Sequence, residues 1–307
     1  MQKNKLYGLV YGCALGDAVG LQYEGCDKEY ITRVISTLTI KTQGYWHGVE
    51  LGDWSDDTDH LVLLLETLTE NNNNFNSCIF AKKLKYWRKN GFPELGDTVG
   101  MGLGQYTGRL LSDLDFEKHP IQTSKKIYEQ LGSNRAPNGA LMRTGIMAFS
   151  TNWAEDTILQ CKTTHYDSRC IKSCLVLAYI CRCFIYNHKI RWTIIKNILD
   201  DFPYWSELTL DIDKVLPALN LDGEDRGYTY KSLACALYVL RIIQYKTVDF
   251  KKIMQSIIQE GGDTDTNCAI SGQILGVYLG YDNLPTDWLN LLKNKKWLDA
   301  KLNKYLR

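Results

Sequence analysis

Two short stretches crowd carboxylates and hydroxyls directly ahead of strongly apolar runs. Asp263-Thr264-Asp265-Thr266-Asn267 follows Gly261-Gly262 and precedes Cys268 to Tyr278; Trp54-Ser55-Asp56-Asp57-Thr58-Asp59 precedes His60 to Thr69. Free N–H groups and the dipole at a helix N-terminus favour an acidic or hydroxyl cap, so capping explains one such side chain at each helix start. It does not readily explain carboxylates at i and i+2, which cannot share a helical face, so Asp263 or Asp265 must project from the non-helical turn ahead of the helix. If the two helix starts meet, with Glu24 close by, Asp56, Asp57, Asp263 and Asp265 form a knot of negative charge that is intolerable unpaired. Divalent cations resolve it. All-oxygen donors favour Mg²⁺ or Mn²⁺ over zinc, and this many carboxylates suggest two ions about 3.5–4 Å apart.

Other metal and nucleotide chemistries fit worse. Asp263-x-Asp265-x-Asn267 begins like an EF-hand loop, but Cys268 stands at the glycine position and Ile274 at the bidentate glutamate position. Cys170, Cys174, Cys181 and Cys183, with His165 and His188, lack any C-x-x-C spacing, and most of the ten cysteines sit in apolar helical patterns as small hydrophobes. Unpaired cysteine usage of this kind implies a reducing, cytoplasmic compartment. A Walker-type loop is absent, and the glycines of the first helix lack the strand of a dinucleotide fold.

The elements that must position these residues read as helices. Helical periodicity dominates and strand alternation is almost absent, giving expected helices over 4–19, 57–71, 77–89, 139–150, 168–186, 191–200, 229–244, 249–259, 265–279 and 285–305. Many are apolar nearly all round, as in Leu61-Val62-Leu63-Leu64-Leu65, which places them inside a bundle. The chain is expected to form one all-α domain over 1–307. Gly8, Gly12, Gly16 and Gly20 recur four residues apart in the first helix. Each costs about 1 kcal/mol relative to Ala, so the row implies a ridge that another backbone approaches closely. Asp17, beside that row, reads as a buried hydrogen-bonded residue rather than a ligand, and Glu24 falls near the end of this helix. Residues 91–138 have weak periodicity and many glycines, the composition of a long binding or mobile loop. Its end, Ser133-Asn134-Arg135-Ala136-Pro137-Asn138-Gly139, runs into the next helix, where backbone N–H groups suit phosphate and a plain capped turn fits equally.

Composition excludes several classes. The net charge of +1 gives no polyanion-binding signature, so nucleic acid is not an expected partner. No stretch is long enough for a membrane span, since Arg182 interrupts Leu175 to Tyr186, and the N-terminal apolar run is too short for a signal peptide.

Taken together, the motifs resemble the ADP-ribosylglycohydrolase family. They are Gly16-Asp17-Ala18-Val19-Gly20 with Glu24, Trp54-Ser55-Asp56-Asp57-Thr58, Asn138-Gly139-Ala140-Leu141-Met142-Arg143, Thr164-His165, Gly227-Tyr228 before Leu233-Ala234, and Gly262-Asp263-Thr264-Asp265-Thr266, in family order across most of the chain. The resemblance implies an all-α compact orthogonal bundle with two Mg²⁺ or Mn²⁺ ions at the mouth of a cleft. It implies Ser55, Asp56, Asp57, Asp263, Asp265 and Thr266 as metal ligands; family members often carry Thr at the position of Ser55, and either hydroxyl can ligate. Glu24 and Asp57 become the candidate catalytic carboxylates. The loop containing Ser133, Asn138 and Gly139 becomes the diphosphate cradle, and His165 a residue lining the cleft. Arg143, in the same motif, reads as a buried structural arginine. The implied reaction is hydrolysis of the α-glycosidic bond between ADP-ribose and a protein side chain or small acceptor; a monomer is the default expectation. A catalytically silent ADP-ribose binder and a dimetal phosphoesterase are the competing readings.

Overall fold

The computed structural model describes residues 2–35 and 50–307. Among the described residues there is no β-strand; the one sheet-like feature is an isolated antiparallel bridge between Pro137 and Tyr228. The helices are α1 (Gln2–Gly20), α2 (Lys28–Val34), α3 (Asp56–Glu70), α4 (Ser77–Asn90), α5 (Gln105–Leu111), α6 (Pro120–Gln130), α7 (Trp153–Thr164) and α8 (Ser168–Ile185). They continue with α9 (Trp192–Ile198), α10 (Ile212–Leu219), α11 (Thr229–Tyr245), α12 (Phe250–Ile258), α13 (Thr264–Leu279), α14 (Thr286–Leu289) and α15 (Lys295–Tyr305). None is long and apolar enough to cross a membrane.

The glycine ridge of α1 organises the fold. Gly8, Gly12, Gly16 and Gly20 lie against Gly276, Gly272, Cys268 and Thr264 of α13 in antiparallel order. A Cβ on Gly12 would stand 2.1 Å from the Gly272 carbonyl oxygen, and one on Gly272 would stand 2.0 Å from that of Gly12. Contact this close requires a missing Cβ at each crossing. Both helices are buried nearly all round, with α3, α8, α11 and α12 packed about α13. The ridge therefore fixes the N-terminus of α13, which carries Asp263 and Asp265, beside the C-terminus of α1, which carries Asp17 and leads to Glu24.

Three expectations differ from the structure. The expected α-helix over 139–150 is two 3₁₀ segments, Asn138–Ala140 and Thr144–Phe149. The Gly145 amide donates to Gln273 Oε1 at 2.8 Å rather than to its own helix, and Gln273 Nε2 donates to the Met142 carbonyl. One side chain of α13 thus draws off the backbone groups that an α-helix would use. The expected helix over 285–305 is split into α14 and α15, because the intervening turn docks on the loop before α3: Lys293 N donates to the Gly52 carbonyl and Asn294 Nδ2 to Asp53 Oδ1. Finally, 91–138 is not one long irregular loop, since it contains α5 and α6.

Candidate active site

Both acidic stretches form helix N-termini, and both carry more oxygen than capping uses. Ser55 is the N-cap of α3, its hydroxyl accepting from Asp57 N at 3.4 Å, so Asp56 and Asp57 in the first turn are surplus. Asp263 is the N-cap of α13 by position, yet its side chain accepts no capping hydrogen bond. Gly261 and Gly262, at φ +74° and +80°, supply the left-handed turn that leads the chain into α13 this way. A Cβ at Gly262 would also meet the Leu221 carbonyl oxygen at 2.1 Å.

Asp17 ties the start of α3 to the ridge helix. Its fully buried carboxylate accepts from Ser55 N and Oγ at 3.0 and 2.9 Å through Oδ1, and from Thr58 N and Oγ1 at 3.0 and 2.7 Å through Oδ2. Burial pushes this carboxyl up to about 6 against the four hydrogen bonds that pull it down. The residue clamps α3 to α1, so its role is positional. Asp59 also leaves the cleft: it accepts from the indole N–H groups of Trp54 and Trp87, each at 2.8 Å.

The remaining carboxylates face one cavity of about 680 Å³, within the range of small-molecule sites. Glu24, Asp56, Asp57, Asp263, Asp265 and Thr266 all line it. Glu24, Asp263 and Asp265 can each place one oxygen within 4.8 Å of the others'. Backbone pairing holds Glu24 there, since Gly25 N donates to the Gly262 carbonyl and Gly262 N to that of Cys26, both at 2.8 Å. Thr266 Oγ1 donates to Asp57 Oδ2 at 3.2 Å, bringing the starts of α3 and α13 into direct contact. Ser55 Oγ lies 3.1 Å from that same oxygen but is not among the cavity-lining residues.

The donor set fits divalent metal. Asp57 Oδ1 is buried without a hydrogen-bond partner, a costly state for a carboxylate unless something else meets it. Burial, and then the charges of neighbouring carboxylates, push Asp56, Asp57 and Asp265 well above the ordinary carboxyl range. Asp263 is raised by burial and partly relieved by a hydrogen bond from Asn138. Oxygens alone, mostly carboxylate with two hydroxyls, are the ligands of Mg²⁺ and Mn²⁺.

The rest of the cavity lining is Gly102, Gly104 to Thr107, Pro137 to Gly139, Met142, His165 and Glu224 to Gly227, omitting Asp225. Asn138 is buried; its amide donates to Asp263 Oδ2 at 2.7 Å and Ser232 Oγ at 2.9 Å, so this side chain serves the acidic cluster. Gly139 lies close to the imidazole: a Cβ there would stand 3.2 Å from His165 Cε1, so a side chain would make the ring give by a few tenths of an ångström. Ser133 lies elsewhere, exposed on the turn after α6 at φ +52° and outside the cavity lining. Arg143 is fully buried, as expected from the sequence.

Sequence reasoning missed several lining residues. Gly102, at φ +87°, runs so close to α3 that a Cβ would stand 2.4 Å from Asp56 Oδ1. Tyr106 packs on His165 with ring centroids 5.1 Å apart and puts an aromatic face in the cleft. Arg226, reaching the Gly25 carbonyl at 3.4 Å, pulls Asp263 downward by its charge. Tyr106 and Arg226 carried no local signal beyond the glycines near them.

Two acidic helix N-termini of an all-α bundle thus share one glycine-lined cleft, and comparison with known proteins names the family. The ADP-ribosylglycohydrolase family model matches residues 1–307, and the chain belongs to that family. It is 23% identical over 298 residues to an ADP-ribosylarginine hydrolase, Tri1, of Serratia proteamaculans, covering 94% of this chain and 75% of that one. It is 22% identical over 297 residues to the ADP-ribosyl-[dinitrogen reductase] glycohydrolase of Rhodospirillum rubrum, covering 95% and 91%. Among solved structures, an ADP-ribosylglycohydrolase-related protein complex aligns over 99% of this chain and 97% of its own, with TM-score 0.69 and 23% identity, and so shares the fold.

Proposed function

We propose that the protein is a dimetal-dependent hydrolase that cleaves the α-glycosidic bond of ADP-ribose attached to a protein side chain or small acceptor, releasing ADP-ribose. The observation that carries this reading is the convergence of Asp56, Asp57, Asp263 and Asp265 with Glu24 in one cleft that Gly139, Tyr106 and His165 also line. Family membership and the names of the relatives support ADP-ribosyl chemistry, and those names make arginine-linked ADP-ribose the first conjugate to test.

Ser55, Asp56, Asp57, Asp263, Asp265 and Thr266 would hold two Mg²⁺ or Mn²⁺ ions. Bound there, the ions would supply Lewis-acid charge stabilisation, orientation of ribose hydroxyls and a bound water of lowered pKa. Asp57, buried and bonded to Ser55 and Thr266, suits a ligand role. Glu24, partly exposed at the cavity, is the carboxylate we assign to proton transfer: it takes a proton of the attacking water and passes it to the acceptor atom, which leaves with the bonding pair as its bond to the anomeric carbon breaks. Backbone N–H groups at Gly139 meet the diphosphate, and the Tyr106 face meets the adenine.

The test is release of intact ADP-ribose from defined arginine-, serine- and O-acetyl-linked substrates in the presence of Mg²⁺ or Mn²⁺, with Asp56→Ala and Asp265→Ala as controls. No release from any conjugate, or equal release by the variants, rules out hydrolysis by this site. Metal-independent ADP-ribose binding without turnover would identify a silent binder, and release of phosphate a phosphoesterase.

A further inference from the structure

We propose that Arg143 and Thr164 hold His165 in the tautomer protonated at Nε2, making it a neutral hydrogen-bond donor to an anionic group in the cleft. Arg143 and Thr164 are positioning residues here, acting through the imidazole. The identification of that anion as a diphosphate rests on the proposed function; the tautomer does not.

Hydroxyl and ring protons have only one consistent placement. The buried Arg143 guanidinium donates through Nη2 to Thr164 Oγ1 at 2.6 Å, through Nη1 to the Gly139 carbonyl at 2.9 Å and through Nε to Gln160 Oε1 at 3.3 Å. Gln160 is itself fixed, since its Nε2 donates to Thr144 Oγ1 at 2.6 Å while Thr144 donates to the Ala140 carbonyl at 2.7 Å. A guanidinium has no acceptor, so Thr164 Oγ1 must accept from Arg143. Thr164 has one hydroxyl proton left to place, and His165 Nδ1 lies 2.7 Å away. Were Nδ1 the protonated nitrogen, Thr164 would face two donors and its own proton would have no acceptor in a fully buried site. Thr164 therefore donates to Nδ1, and a neutral ring then carries its proton on Nε2.

The imidazolium form is disfavoured independently. Burial, and next the Arg143 charge, hold His165 well below its ordinary value. Nε2 has no hydrogen-bond partner among the described residues. It lies toward the glycine side of the cleft: a Cβ on Gly139 would come within 3.3 Å of it, and both residues line the cavity. The same Arg143 that sets the tautomer also binds the Gly139 carbonyl, so one buried cation positions both the loop and the imidazole.

Long-range ¹H–¹⁵N correlation spectra of the labelled protein at neutral pH test this, with His165 assigned by the signal lost in His165→Gln. The expected wild-type signal is that of the Nε2–H tautomer. Thr164→Val keeps the side-chain shape and removes the hydroxyl. It should shift the signal toward Nδ1–H and weaken ADP binding in Mg²⁺ buffer about tenfold by calorimetry, the scale of one hydrogen bond to a charged group. Thr164→Ser should restore both. An Nδ1–H or imidazolium signal in wild type, a Thr164→Val spectrum like that of wild type, or a changed tautomer with unchanged ADP affinity would each overturn the proposal. Wild-type protein that binds neither ADP nor ADP-ribose overturns instead the assignment of the cleft, and with it the diphosphate as the anion met.

Discussion

Asn138 donates through Nδ2 to Asp263 Oδ2 at 2.7 Å, and with its second amide proton to Ser232 Oγ at 2.9 Å. Its backbone N–H is engaged as well, donating to the Gly227 carbonyl at 3.0 Å beside the Pro137–Tyr228 bridge. Asp263 is a helix N-cap whose carboxylate does no capping, and Asn138 is the strongest of the side chains that orient it, ahead of Asp265 and Thr266. With Oδ2 held by the amide, the carboxylate is left to approach a cation mainly through its other oxygen.

Asn138→Leu should therefore weaken Mn²⁺ binding about 10–100-fold, as loss of the hydrogen-bond partner that orients a metal ligand does. Calorimetric titration of metal-free protein checks it. Ser232→Ala, which frees the amide but leaves it able to reach Asp263, should cost much less. Equal losses in the two variants would mean that the contact serves folding rather than metal binding.

Removal of the metals should be visible in stability as well as activity. Ions that bind the native state and not the unfolded chain stabilise it by about 2.7 kcal/mol at a hundredfold excess over Kd. Chelator-treated wild-type protein should thus gain several degrees in Tm on addition of Mn²⁺. Asp57→Ala should lose that response, since it removes the buried oxygen that lacks a protein partner and the acceptor of the Thr266 hydroxyl.

The helix contact that delivers these residues has its own signature. Gly12→Ala would place a Cβ 2.1 Å from the Gly272 carbonyl oxygen, backbone against backbone, where no side chain can yield. A loss of at least about 1–3 kcal/mol is expected from overpacking of this kind, read by urea or thermal unfolding. Gly104→Ala, where an added Cβ meets nothing within 4 Å, is the matched control and should stay near wild-type stability.

What could be read from the sequence follows from where the signal lies. The glycine row of α1 and the surplus carboxylates ahead of α3 and α13 are local patterns, and each has a physical reason visible within a few residues. The missed helices have polar or sparse buried faces. In α7 the buried positions are Asp156, Thr157, Gln160, Cys161, Thr163 and Thr164, polar but for one; Gln160 and Thr164 accept from Arg143 and Asp156 from Phe75 N and Ser150, so hydrophobic periodicity passes over them. In α2 only Ile31 is buried, and α10 carries Pro217 within it. The 3₁₀ geometry after Asn138 depends on Gln273, more than a hundred residues further along the chain, which no local window contains. Tyr106 was one of 19 tyrosines until the fold set it against His165.

Acid should destabilise the fold through two histidines. His60 is buried with neither ring nitrogen hydrogen-bonded, against Trp87 at 4.6 Å between ring centroids, and its pKa is held well below the ordinary 6.5 by burial and then by the Arg143 charge. His165 is depressed in the same direction by burial and Arg143. The unfolded chain takes up these protons near pH 6.5 whereas the native state does not. Their contribution to stability is therefore full above that pH and falls as pH drops below it, by up to about 1.4 kcal/mol per pH unit for each ring. Denaturant titrations between pH 8 and 5, in chelator so that metal binding does not contribute, measure the slope of the whole molecule. That slope also holds the opposite contribution of Asp17, Asp56, Asp57 and Asp265, whose raised carboxyls take up protons in the native state first. The difference between wild type and a His60 variant isolates the ring. His60→Gln should lower the slope by the share of one ring, even if the variant is less stable at every pH, because the slope reports protons rather than packing. An unchanged slope in that variant would show that His60 titrates alike in the native and unfolded states, which its buried, unpartnered nitrogens argue against.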